Sequence, residues 1–206
     1  MSFLRASLLS AAAALSSLAA QAATVIPVAT DGQWHAFTVD AGSAASGGLE
    51  WIDSDYDFGG GAGDFQPLSF TFTVSDHAIL RVVDGLFVGD TFRVAVNSAA
   101  GTQLYDTSSV PAQLLDDSYS LTNHGTDFDA AFADTLRTSR LELVLGAGTY
   151  TVSGSLLQSV SHVDFGALNS TNGALSVTAV PEPASYALLL AAVGVVGLVS
   201  RRRNQA

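Results

Sequence analysis

The stretch with the most chemistry-bearing side chains is Asp53-Ser54-Asp55-Tyr56-Asp57-Phe58-Gly59, where a carboxylate recurs at every second position. Alternating aspartates of this kind make the first half of a calcium loop. A hard cation takes several oxygens from a segment that glycine lets turn sharply. Counted from Asp53, the glycine falls one position late, and position twelve is Asp64 where glutamate is the usual ligand. The expected ligand set is Asp53, Asp55, Asp57 and Asp64, with calcium the one candidate cofactor. Gly59, Gly60, Gly61 and Gly63 equally describe a solvated acidic loop with no ion in it.

Trp51 stands just before that loop and Tyr56 lies within it. Trp51 and Tyr56 would form a glycan platform if both rings lay on an exposed face, because an indole or phenol can stack on the C–H face of a sugar. A tryptophan in the core is the alternative. The four histidines, His35, His77, His124 and His162, show no zinc-ligand spacing, and no H-E-x-x-H occurs. Asp76 and His77 are neighbours, which in a strand sends their side chains to opposite faces. No serine lies in a G-x-S-x-G elbow. No catalytic residue is therefore expected, and the chain is read as not an enzyme, with a hydrolase the least favoured class.

Charge narrows the partners. The 206 residues carry a formal net charge of −11, and there is no lysine. Between Ala23 and Pro181 eighteen carboxylates face four arginines: Arg81, Arg93, Arg137 and Arg140. Such a field repels phosphate backbones, so nucleic acid is not an expected partner. Neutral polymers and divalent cations remain compatible with it. The absence of cysteine leaves this segment to be held by its core or by metal.

The elements that must position these residues are short strands. Ser69-Phe70-Thr71-Phe72-Thr73-Val74 alternates apolar and hydroxyl side chains. Trp34–Val39, Ala78–Val83, Thr91–Val96, Leu141–Leu145, Thr149–Leu157 and Ala174–Ala179 read the same way. Turn signals such as Asp31-Gly32, Asp84-Gly85, Gly89-Asp90 and Asn172-Gly173 separate them. Helical turns are expected only at Asp127–Thr138, with Phe128, Phe132 and Leu136 as an apolar stripe, and at Pro111–Leu115. The pattern predicts an all-β, antiparallel β-sandwich of jelly-roll type over residues 23–179. No repeat of fixed period is visible, which argues against an ice-binding solenoid. The run from Ser75 to Asn97 is similar to sandwich modules of extracellular bacterial proteins, a likeness of architecture alone.

Both flanks read as targeting segments. Residues 1–22 have Arg5, an apolar Leu8–Leu18 stretch and Ala20-Gln21-Ala22, the small-x-small pattern of a signal-peptidase site. Residues 180–206 begin Val180-Pro181-Glu182-Pro183, continue as an uncharged run over 184–200, and reach Arg201, Arg202 and Arg203. Seventeen residues at about 1.5 Å each span roughly 26 Å, enough for a thin bilayer core, so a C-terminal transmembrane helix is expected. The trailing arginines would stay cytoplasmic and act as a membrane stop. The two prolines hold the preceding peptide extended, in the form a processing enzyme binds.

The order of motif, apolar span and arginine cluster resembles the PEP-CTERM sorting signal, a tail also labelled an ice-binding protein C-terminal domain. The resemblance covers Val180 to Arg203. It implies export in a Gram-negative bacterium, with signal peptidase and an exosortase as processing enzymes. It also implies transient anchoring in the inner membrane, then a place at the cell surface or in the extracellular matrix. Family members are linked to exopolysaccharide and biofilm. The expected function is that of an exported surface or matrix protein. The alternative is a glycan-binding module ordered by calcium.

Overall fold

The computed structural model describes residues 23–53, 64–116 and 123–181. The chain forms β1 (Thr24–Pro27), β2 (Asp31–Asp40), β3 (Leu68–Val74), β4 (His77–Asp84), β5 (Leu86–Phe87), β6 (Thr91–Ser98) and β7 (Gly101–Asp106). It continues through β8 (Leu114–Leu115), β9 (Asn123–Gly125), helix α1 (Phe128–Ala133), β10 (Arg140–Leu145) and β11 (Gly148–Gln158). β12 (Ser161–His162), β13 (Gly166–Ala167) and β14 (Ser170–Val180) follow. The seven strands expected from sequence all form. The signal segment 1–22 and the apolar span 184–200 lie outside the described residues. Among the described residues no helix is long and apolar enough to cross a membrane.

Five strands make one sheet, in the order β1-β3-β11-β6-β7, and four make the other, in the order β10-β4-β14-β2. Only β1, parallel to β3, departs from antiparallel pairing within these two sheets. Alternation decides which side chains enter the core. In β3, Phe70, Phe72 and Val74 are buried. On its other face Thr71 donates to the Tyr150 carbonyl and Thr73 bonds Thr149. Phe37 and Val39 of β2, Leu80 and Val82 of β4, and Leu175 and Val177 of β14 meet Phe92, Val94 and Val152 of the opposite sheet in one cluster. Two sheets sharing one apolar core make an antiparallel β-sandwich.

Outside the four-stranded sheet, α1 covers a smaller cluster of Val83, Ala174, Phe128 and Ala131. The Asp127 carboxylate caps α1 by accepting from the Ala130 N–H at 3.0 Å. The helix is shorter than the expected Asp127–Thr138. At Asp134 the backbone leaves helical geometry, and its N–H closes onto the Ala130 and Ala131 carbonyls. The Thr138 hydroxyl then serves the Ala131 and Asp134 carbonyls in place of another turn. Leu136 falls beyond the helix and is 79% exposed, so the stripe ends at Phe132. The expected helical turn at Pro111–Leu115 is also corrected. The Gln113 and Leu115 carbonyls accept from Ser161 and Val163, which makes β8 a short strand parallel to β12.

Candidate functional site

The proposed calcium loop is seen at its base. The Phe65 N–H donates to the Asp53 carbonyl at 2.8 Å, and the Asp53 N–H donates to the Gln66 carbonyl at 3.2 Å. The two ends of the loop, Asp53 and Asp64, are thereby held together. The Asp64 carboxylate already accepts from the Thr24 hydroxyl and from the Gln66 N–H at 2.9 Å. Asp55, Asp57 and Tyr56 lie outside the described residues. Among those described, no three histidine, aspartate or glutamate side chains converge as a ligand set.

Trp51 is not on a surface. It is fully buried, stacked on Phe37 with ring centroids 3.9 Å apart, and edge-on to Phe92. Gly154 explains why the indole fits. A Cβ at that position in β11 would lie 2.4 Å from the Trp51 ring. The glycine leaves a hole that the ring fills. The glycan platform therefore loses its first member, because a ring with no exposed face cannot meet a sugar.

The histidines are scattered. His77 Nδ1 lies 2.9 Å from Asp76. This corrects the opposite-face expectation, since Asp76 is in the turn before β4 and does not share its alternation. His124 Nε2 lies 3.1 Å from Asp134, which also accepts from Arg137. His162 is buried, accepts the Asp164 N–H at Nδ1, and stacks on Phe165. Burial holds the pKa of His35 below its ordinary value, against the pull of Asp31.

The feature that sequence reading missed sits in two of the predicted turns. β4 turns Ala78, Leu80 and Val82 inward, and Asp84 continues that series. β6 turns Phe92, Val94 and Val96 inward, and Asp90 stands two residues ahead of Phe92. β14 turns Leu175 and Val177 inward, and Thr171 has the same parity. Asp84 pairs across the ladder with Gly173, two residues from Thr171. Relative exposures are 0% for Asp84, 1% for Asp90 and 2% for Thr171. Alternation points to all three, but Asp-Gly and Gly-Asp also read as turn punctuation, which hides the first two.

Main-chain donors hold this pair. Asp84 Oδ2 accepts from the Gly89 and Asp90 N–H groups at 3.1 and 3.2 Å. Asp90 Oδ1 accepts from the Val160 N–H at 2.8 Å. Asp84 Oδ1 has no hydrogen-bond partner. The Thr171 hydroxyl is close enough to Asp90 to favour its ionised form, yet it makes no hydrogen bond of ordinary length. Burial, then repulsion from Asp90, pushes the Asp84 carboxyl well above the usual range. Burial pushes Asp90 up to about 6. Among the described residues no arginine offsets the pair. Arg81 is bonded to Glu142, Arg93 to Asp106, Arg137 to Asp134, and Arg140 to the Phe132 carbonyl.

At the other end of the sandwich β14 runs to Val180, which is paired with His77, and Pro181 follows immediately. Glu182, Pro183, Arg201, Arg202 and Arg203 lie outside the described residues, as do Ala20 and Ala22. A family profile described as the PEP-CTERM protein-sorting motif matches residues 179–203. The chain carries a PEP-CTERM sorting signal. Such a signal implies export, a membrane-anchored sorting step and processing by an exosortase. The match begins on the last two residues of β14, so the PEP-CTERM segment is continuous with a core strand.

Curated proteins provide no match. Similar solved structures include the following two. One is the pre-peptidase C-terminal domain of a collagenase from Bacillus anthracis, at 8% identity and a TM-score of 0.35, covering 76% of this chain and 95% of that one. The other is CorA of Methylomicrobium album BG8, described as a surface-associated copper-binding protein important in copper acquisition. It shows 10% identity and a TM-score of 0.38, covering 77% of this chain and 100% of that one.

Proposed function

We propose that this protein is an exported, non-catalytic surface or matrix component, released or fixed by its sorting tail among exopolysaccharide in a biofilm or floc. The observation that carries the reading is the sorting motif, joined without a linker to a hydrogen-bonded strand of a disulfide-free sandwich. A domain held by its own apolar core suits export, where it must persist alone. The acidic surface keeps it dispersed and leaves neutral polymers as compatible partners. The scattered histidines favour a structural role over a catalytic one. The glycan-module alternative, without Trp51, now rests on Tyr56 and the acidic loop.

Intact mass tests the sorting step. Cells with the exosortase should yield a cell-associated or released species lacking tail residues, and cells without it should retain them. Identical masses in the two strains would remove exosortase processing. Fractionation tests the matrix role separately. The processed protein should co-sediment with extracellular polysaccharide and leave that fraction after glycosidase treatment. A protein that stays freely soluble in both would sink that role while leaving sorting intact.

A further inference from the structure

We propose that Asp84, Asp90 and Thr171 form a calcium site at the end of the sandwich where β4 finishes and β6 and β14 begin. This site is separate from the acidic loop at 53–64, and it does not rest on the sorting reading. Two carboxylates are enclosed there, and among the described residues no basic side chain offsets them. A buried charge needs a compensating partner. The main chain already approaches as if to ionised acids, with three N–H groups donating to the pair.

What remains uncommitted is oxygen. Asp84 Oδ1 is buried without a hydrogen bond, and the Thr171 hydroxyl, which faces Asp90, makes none of ordinary length; they come from two different strands. A proton shared between the acids would cancel one charge and serve Asp84. It would leave the lone pairs of the Thr171 oxygen, whose hydroxyl faces Asp90, without a partner. A cation answers both, taking Asp84 Oδ1, an Asp90 oxygen and the Thr171 oxygen as ligands. Calcium fits better than magnesium. It accepts an irregular set of protein oxygens, whereas magnesium keeps several waters that so enclosed a place does not favour.

The test uses the full chain in mild detergent, stripped with EDTA and melted at pH 7.5 with and without calcium chloride. Calcium well above its dissociation constant should raise the midpoint by roughly 5 °C or more, saturably, with magnesium far less effective. Asp90→Asn and Thr171→Val should each abolish most of that shift. Asp64→Asn, in the acidic loop, should keep it. Equilibrium dialysis with radioactive calcium should show one bound ion lost in Asp90→Asn, a readout that holds even if Asp84→Asn fails to fold. The proposal is overturned if calcium leaves the midpoint unmoved at pH 7.5, for then no bound ion offsets the pair. It is equally overturned if the calcium shift survives both Asp90→Asn and Thr171→Val.

Discussion

A carboxyl that titrates at about 6 in the folded protein, against an ordinary 3.8, ties folding to proton uptake. Between those values the unfolded chain has lost the Asp90 proton and the folded chain still holds it. The contribution of Asp90 to stability is therefore greatest at acid pH. It falls as pH rises from about 4 to about 6 and is constant above that. The titratable group facing Asp90 is Asp84, displaced in the same direction, so both carboxyls favour the fold in acid. In chelator, Asp90→Asn should flatten this part of the profile, an effect on the order of 3 kcal/mol between the two ends. Urea melts between pH 4 and 8 measure it, and an unchanged slope would contradict the assignment. Trp51→Ala should cost about 3–5 kcal/mol, as expected for emptying the space of a core indole. A loss below 1 kcal/mol would return Trp51 to the surface. The residue types were legible at both places. Their burial was not, because an aspartate beside glycine and a tryptophan beside an acidic loop look alike inside or outside a fold.

Strands were more legible than the helix or the links between sheets. Period-two alternation in β3 places Phe70, Phe72 and Val74 on one face whatever the partner strand, and the structure buries all three. The same rule governs β4, β6 and β14. The helix failed at its end. Phe128, Phe132 and Leu136 share helical spacing, yet a helix persists only while its carbonyls find amide donors, and Thr138 takes two of them over. Asp127→Ala should remove the N-cap at a cost of about 1 kcal/mol, read in a thermal or urea melt. No change in either would mean that α1 is held by Phe128 and Ala131 packing alone. Gly154→Ala should destabilise β11 by about 1–3 kcal/mol, since the added methyl meets the Trp51 ring and the Arg93 carbonyl. Combining it with Trp51→Ala should recover much of that loss, and strictly additive costs would deny the coupling.

At the scale of the whole molecule the acidic excess and the sorting tail act together. Eighteen carboxylates against four arginines in residues 23–181 should leave the exported domain without affinity for DNA or anionic vesicles, even at low salt. Gel shift and vesicle sedimentation check this, and binding that weakens steeply with salt would reveal a basic patch. The sequence alone determined the sorting signal, the acidic field and the alternation of the strands. Each is a property of residues close together in the chain or summed over all of it. Only the tertiary structure decided that Trp51 fills the hole at Gly154. It alone brought Asp84, Asp90 and Thr171 to one enclosed point, through strands paired across almost 90 residues of chain. Local pattern sets which face a side chain takes, but whether that face is wet or dry depends on what another part of the chain lays against it.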